Sequence, residues 1–308
     1  MIIRSLLLLL PLSLWAWYVI QPSRTSREIT ASFLGFVWAF LIALMLNSAL
    51  VSHAAIHFTV NDNLFYGVPL DWVFAQAAIT GALVPLARSW IGSIWIRILI
   101  QISMVTLTCS LSYIDYKTVS IILMVLLHIT LVAIPAMLLA DWTAIDTNIG
   151  KRAILQSLAW TVLLFWFFPS VIFHLAAGNW NAFITRAPLL TGLYLLPLLL
   201  PAYLLISALY QFAIEGSGTA FPYDPPKRLV TKGVYQYISN PMQAGISLAV
   251  GWWGVVIQST WVSVSAIIAV ILFVVFKDVC NGSCAIGKNN SEWEEYQNKV
   301  PKWFPNLK

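Results

Sequence analysis

Residues able to do chemistry are scarce in this chain and can be taken group by group. Tyr235 and Tyr237 stand close together in a polar block, Asn240-Pro241 follows, and Asp278, Glu292, Glu294, Glu295 and Tyr296 come later. Aromatic faces attract cations and carboxylates pair with ammonium groups, so these residue types can hold a positively charged ligand. Each also has a plainer reading. The tyrosines can anchor at a membrane interface, Asn240-Pro241 can open a helix as N-cap and first turn, and most of the three glutamates can lie on a solvated helix face. Arg97 sits inside an apolar run, with Asp71 and Asp115 near the ends of others, and a charge buried in a membrane is costly enough to be a functional candidate. It could bind an acidic group of a substrate, or it could be paired within the protein. His53 and His57 would share a helix face, but without a third ligand nearby they give no convincing metal site. His128 and His174 lie in apolar runs, where a hydrogen-bonded structural role is usual. Cys280 and Cys284 lack the companions zinc needs, Cys109 is in an apolar run, and no strand precedes Gly216-Ser217-Gly218 to make it a phosphate loop. No metal is expected.

The elements that must position these residues are set by an apolar composition. Of 308 residues 60% are hydrophobic and 9% charged, with a mean hydropathy of +0.82, against about 25% charged in soluble domains. A soluble fold is excluded, and the 15 Trp, 16 Phe and 11 Tyr suit interfacial belts. The fold class expected is all-α, a polytopic α-helical integral membrane protein. Apolar stretches of about 17 to 25 residues can span a bilayer. They run over 5–21, 30–52, 70–87, 90–112, 119–140, 153–175 and 188–214, and two shorter ones at 243–257 and 261–276 flank Gln258-Ser259-Thr260 as a helical hairpin. About nine transmembrane helices result.

With the C-terminus in the cytoplasm, Arg24, Arg27, Arg88, Lys151, Arg152 and the basic residues from Lys227 onward all lie inside, while Arg4, Lys117 and Arg186 lie outside. That asymmetry is what the positive-inside rule predicts. The net charge of +5 is spread singly or in pairs and builds no stripe for nucleic acid. The leucine-rich start resembles a secretory signal, but no small-residue cleavage site follows, so it reads as an uncleaved first span.

Residues 1–185 are apolar spans with short loops and form an N-terminal region in which no motif names a role; Gly67 to Trp72 opens one span. From Glu215 the texture changes. A Gly- and Pro-rich polar stretch that cannot continue a helix runs to Arg228. Leu229-Val230-Thr231-Lys232-Gly233-Val234-Tyr235-Gln236-Tyr237-Ile238-Ser239-Asn240-Pro241-Met242-Gln243-Ala244-Gly245 comes next, then the hairpin, then a polar tail ending Trp293-Glu294-Glu295-Tyr296-Gln297-Asn298-Lys299-Val300-Pro301-Lys302-Trp303-Phe304-Pro305.

The first block resembles a pattern of the isoprenylcysteine carboxyl methyltransferase and phospholipid methyltransferase superfamily: Leu-Val-Thr-x-Gly-x-Tyr-x-Tyr, then Arg-His-Pro or Arg-Asn-Pro-Met, then Gly. The tail is similar to the family's ending, an aromatic, a Tyr three residues on and Val-Pro-x-x-x-Pro. The resemblance covers roughly residues 190 to 308, so a methyltransferase-like membrane domain is placed at 186–308. It implies S-adenosylmethionine bound between the cytosolic ends of the last spans, near Tyr235, Tyr237, Asn240, Pro241, Glu292, Tyr296 and Asp278, with Tyr235, Asn240 and Asp278 closest to the chemistry. The family's distribution implies a bacterial inner membrane. Three departures stand out. Ser239 replaces the usual Arg, and Gln243 stands where many members have Tyr. The Glu-Glu pair that follows the last span in the family falls on Asn281 and Gly282, and only a short insertion would bring Asp278 to its first position.

Methyl transfer from a sulfonium needs in-line attack by an electron-rich atom with water excluded, so positioning supplies most of the catalysis. A lipophilic small molecule or lipid would enter from the bilayer and the soluble cofactor from the cytosol. Two other readings fit parts of the sequence. A sterol-reductase-like enzyme using NADPH shares the C-terminal layout but normally has a more basic tail. A non-catalytic binding or transport protein would suit the missing Glu pair.

Overall fold

The structure is a computed structural model of the full chain, described here for residues 2–60, 64–111, 114–116, 121–176, 178–219, 226–281 and 291–303; side chains of 2–8, 108–111, 115–116 and 273–281 are not considered. The helical run that ends near Val19 is α1 (Ile2–Val19), and α2 spans Ser26–Ser52. Then follow α3 (Leu70–Ser89), α4 (Ile94–Leu111), α5 (Ile121–Ala144), α6 (Ile149–Leu175), α7 (Pro188–Ile214), α8 (Pro241–Val256), α9 (Thr260–Asn281) and α10 (Ser291–Lys299). Among the described residues five helices, α2, α3, α5, α6 and α7, are long and apolar enough to cross a membrane. The chain is an all-α membrane protein. Among the described residues the strands form two short antiparallel pairs, Ile56–Phe58 with Ile114–Tyr116 and Leu64–Phe65 with Val68–Pro69. Tyr66 and Gly67 turn the second pair at φ of 50° and 78°, a hairpin turn that favours residues tolerant of positive φ.

The chain divides into two compact units, Met1–Val162 and Leu163–Lys308. This packing boundary falls inside α6, whereas the boundary at 185/186 follows the extent of the family resemblance. In the first unit α2 begins with a capping box, Thr25 Oγ1 accepting from the Glu28 N–H and Glu28 from the Thr25 N–H. α2 crosses α3 where Gly35 meets Gly81, and a methyl group on either would overlap the other's backbone. Small residues let helices approach this closely where no hydrophobic effect drives them together.

Among the described residues three stretches of π-helix interrupt the spans, at Ala78–Leu83, His128–Ala133 and Leu163–Phe167. Such a bulge disturbs the regular carbonyl ladder, and in a bilayer every backbone group needs a partner. Each stretch finds one on another helix. Gln101 Nε2 donates to Thr80 O at 3.0 Å, Trp38 Nε1 to Leu131 O at 3.1 Å, and Trp253 Nε1 to Phe165 O at 2.9 Å. The side chains that fill the bulges therefore also tie the helices together.

Arg97 is buried and grips Asp141 in a two-pronged ion pair, at 2.9 and 2.7 Å. Its acidic partner thus comes from α5 rather than from Asp71, which caps the Trp72 N–H at 2.8 Å, and the side chain of Asp115 lies outside the described residues. His53 is the C-cap of α2 and His57 is in a strand, so the shared helix face expected of them does not form. His128 is fully buried, with one ring nitrogen 3.0 Å from Asn47 Nδ2 and the other 2.9 Å from Met124 O. It is a satisfied structural histidine.

In the second unit α8 and α9 form the expected hairpin, starting at Pro241 rather than 243 and extending to Asn281. Gln258 turns it at φ of 56°. Its base is an aromatic core in which Trp253 meets Phe165, Trp180 and Phe183 at centroid distances of 5.5, 6.5 and 5.4 Å.

Candidate functional site

The candidate site gathers at the other end of the hairpin, where α8 begins. Gly216 O accepts from the Lys227 N–H at 2.7 Å, which closes the polar loop after α7. Lys232 pairs with Glu215 at 3.4 Å. Gly233 has a φ of +62°, a conformation that favours glycine, and a Cβ there would press on the side chain of Gln211. A turn of 3-10 helix, Gly233–Gln236, then aims Tyr235 inward.

Tyr235 lies 5% exposed against Ala208, Val230 and Tyr296, and Phe212 of α7 stacks on its ring at 5.3 Å and 11°. Tyr296 of α10, 7% exposed, donates its hydroxyl to the Tyr235 carbonyl at 2.6 Å. Trp293, one helical turn earlier, lies 5.9 Å from Tyr296 ring to ring. The Ser239 N–H donates to Pro301 O at 2.9 Å, a second clasp between block and tail. Motifs far apart in sequence are thus one packed cluster, joined by a side chain and by the backbone.

Burial pushes the Tyr296 phenol up to about 12, and it raises Tyr235 further, with the neighbouring Tyr296 adding to the rise. Both stay neutral at ordinary pH. One face of Tyr235 is taken by Phe212, while Tyr237 points out, 60% exposed, with its ring available. Asn240 is the residue before α8, makes no side-chain capping bond to it, and Pro241 occupies the first turn, buried. So Asn240-Pro241 does open a helix. Glu292, Glu294 and Glu295 are exposed along α10, and Glu295 pairs with Lys299.

The side chain of Asp278 lies outside the described residues, but its backbone belongs to α9. In the hairpin Gly254 is pressed against Ser263 and Gly251 against Ala266. The two helices run antiparallel, so each step back along α8 is matched by one forward along α9. Asp278 lies near the end of α9 farthest from the turn, the end toward which the start of α8 also points. Arg97 is in the other compact unit and committed to Asp141.

Sequence reasoning missed two features here. Phe212 is one aromatic among many in an apolar span and carries no signal. Ser247 had one: with Gln243, noted above only as a departure from the family pattern, it makes two polar residues four apart in an apolar helix. The structure leaves Ser239 Oγ, Gln243 Oε1 and Ser247 Oγ buried with no hydrogen-bond partner among the described residues. Unmet groups of this kind are costly in a protein interior, and these three descend in steps of four from the cluster into α8.

Comparison with known proteins agrees with this part of the chain. No curated protein and no solved structure matches. The model of the phospholipid methyltransferase family matches residues 191–281, which takes in most of α7, the polar block and the whole α8–α9 hairpin and stops before the tail. The C-terminal region of this chain therefore carries a phospholipid methyltransferase domain.

Proposed function

We propose that this protein is an integral membrane methyltransferase that uses S-adenosylmethionine and acts on a lipid or other lipophilic acceptor, with residues 186–308 as its catalytic region and residues 1–185 as accessory spans. The observation that carries the reading is the Tyr235–Tyr296 clasp at the opening of the α8–α9 hairpin, because it closes a polar loop and a polar tail over the end of a matched methyltransferase domain. In this reading nine spans cross the bilayer, that end faces the cytoplasm and the membrane is a bacterial inner membrane.

The residues present suit the cofactor. Tyr237 offers an aromatic face to a sulfonium, Asn240 an amide, and Asp278, near the same end of the hairpin, a carboxylate for an ammonium. Glu292 is the alternative carboxylate at the start of α10, and Pro241 fixes where α8 begins. Tyr235 and Tyr296 hold loop and tail in place. When bound, the cofactor supplies a methyl group on a positively charged sulfur. The protein's work is to hold the acceptor atom in line with it and to keep water out, which is where most of the rate gain of such a transfer resides. Buried aromatic side chains around Tyr235 do the second. Gln243 and Ser247 would meet the polar part of an acceptor whose apolar part stays in the bilayer.

The test is calorimetric titration of S-adenosylmethionine into detergent-purified protein, with Tyr237→Ala, Asn240→Ala and Asp278→Asn alongside. Saturable binding weakened about tenfold or more by these changes is expected. Absence of binding to folded protein at millimolar cofactor, with NADPH binding instead, would replace the methyltransferase by a reductase.

A further inference from the structure

The first unit contains a cavity of about 450 Å³ that methyl transfer does not use. It lies where α2 begins and α3 and α5 end, and is lined by Thr25, Glu28, Arg88, Ser89, Asp141 and Ile145 among others. Its charges can be accounted for one by one. Asp141 is neutralised by the bidentate grip of Arg97. Arg88 has no carboxylate within ion-pair distance among the described residues, and its one hydrogen bond is a long one, 3.4 Å, to Asp141 O. Glu28 uses one carboxylate oxygen to cap α2 and has no cation within ion-pair distance among the described residues. What the cavity offers is one cation and one anion.

Its surroundings set its depth. Trp90 and Trp95, just beyond Arg88 in sequence, are 75% and 74% exposed, and Trp17 and Ile20 before Arg24 are 61% and 76% exposed. Exposed tryptophans beside arginines are the mark of the headgroup layer. A cavity of this size at that depth has the volume of a lipid headgroup.

From these observations we infer that the cavity binds the headgroup of a zwitterionic phospholipid, its phosphate diester on Arg88 and a primary ammonium on Glu28. Arginine suits phosphate because its planar fork matches the oxygens. The choice of a primary over a quaternary ammonium comes from the walls. No aromatic ring lines the cavity, and quaternary ammonium ligands are held by aromatic cages. Both bonds that Glu28 accepts fall on one carboxylate oxygen, so its other oxygen can accept a hydrogen bond that only an N–H-bearing ammonium can give. The site is outside residues 191–281 and needs nothing from the methyltransferase reading.

The experiment is native mass spectrometry of the delipidated full chain with phosphatidylethanolamine, phosphatidylcholine and phosphatidylglycerol supplied in detergent micelles. Wild-type protein should retain phosphatidylethanolamine at least tenfold better than the other two. Arg88→Gln should lower retention of all three, and Arg88→Lys should restore part of it. Glu28→Gln keeps the α2 cap, since glutamine serves in a capping box, and should erase the preference over phosphatidylglycerol while the fold, followed by thermal melting, is unchanged. Equal retention of the three lipids by wild type, or an undiminished preference in Glu28→Gln, overturns the inference. So does displacement of the lipid by millimolar soluble phosphoethanolamine, which would make the ligand a free phosphate ester.

Discussion

The hydroxyl of Tyr296 reaches the carbonyl of Tyr235 at 2.6 Å across 61 residues of chain. The bond joins α10 to the turn that precedes α8, and both rings are buried beside it. Tyr296→Phe keeps the ring and removes the bond, at an expected cost of about 1 kcal/mol in the docking of the tail. Tyr296→Ala also removes the packing and should cost about 3–5 kcal/mol. Limited proteolysis within the tail should quicken slightly for the first variant and strongly for the second; equal rates in all three proteins would mean the clasp does not hold the tail.

The same pair predicts an alkaline transition. Burial raises the Tyr296 phenol from 10.0 to about 12 in the folded protein, so the released tail ionises first as pH rises. Docking is complete below pH 10 and is lost as pH climbs through about 12. Ultraviolet titration should find a phenolate component above pH 11 that Tyr296→Phe lacks.

Arg97 and Asp141 form a buried pair, so removing one charge strands the other. Arg97→Gln or Asp141→Asn should each destabilise the first unit by about 3–5 kcal/mol, while Arg97→Met with Asp141→Leu should come close to wild type. Melting temperatures in one detergent provide the comparison. A double variant as unstable as the two single variants combined would argue against pairing as the reason for their effect.

Trp38 and Trp253 each fill a π-bulge by donating to its carbonyl. Phenylalanine at either position removes the donor and keeps most of the ring, at about 0.6–2 kcal/mol each. The two sites lie in separate units, so thermal denaturation should show additive losses.

Gln243 is expected to serve the acceptor and not the cofactor. Gln243→Leu should raise the acceptor KM about tenfold in a methylation assay and leave S-adenosylmethionine affinity within about twofold. An unchanged acceptor KM would assign the side chain a structural role instead.

Much of this molecule is legible in the amino-acid sequence because a bilayer simplifies the problem. Over their described residues the nine apolar stretches are almost entirely helical, as a segment in lipid must be to satisfy its backbone internally. The α8–α9 hairpin was marked by Gln258-Ser259-Thr260, and the start of α8 by Asn240-Pro241. Arg97 was recognisable as a residue that must be accounted for. Its partner was not, because a carboxylate near a span end can face any neighbour, and only helix packing selects Asp141 over Asp71.

Residue types and spacing by themselves determined the membrane environment, the helical class and the two motifs that resemble a methyltransferase. Tertiary structure alone decided that those motifs meet, that Tyr235 and Tyr296 are clasped while Tyr237 is exposed, and that Glu28 and Arg88 face one cavity with their charges unspent. The physical reason is one of range. Hydrophobicity and turn chemistry act between neighbours along the chain, whereas a hydrogen bond or an ion pair depends on which helix faces come together.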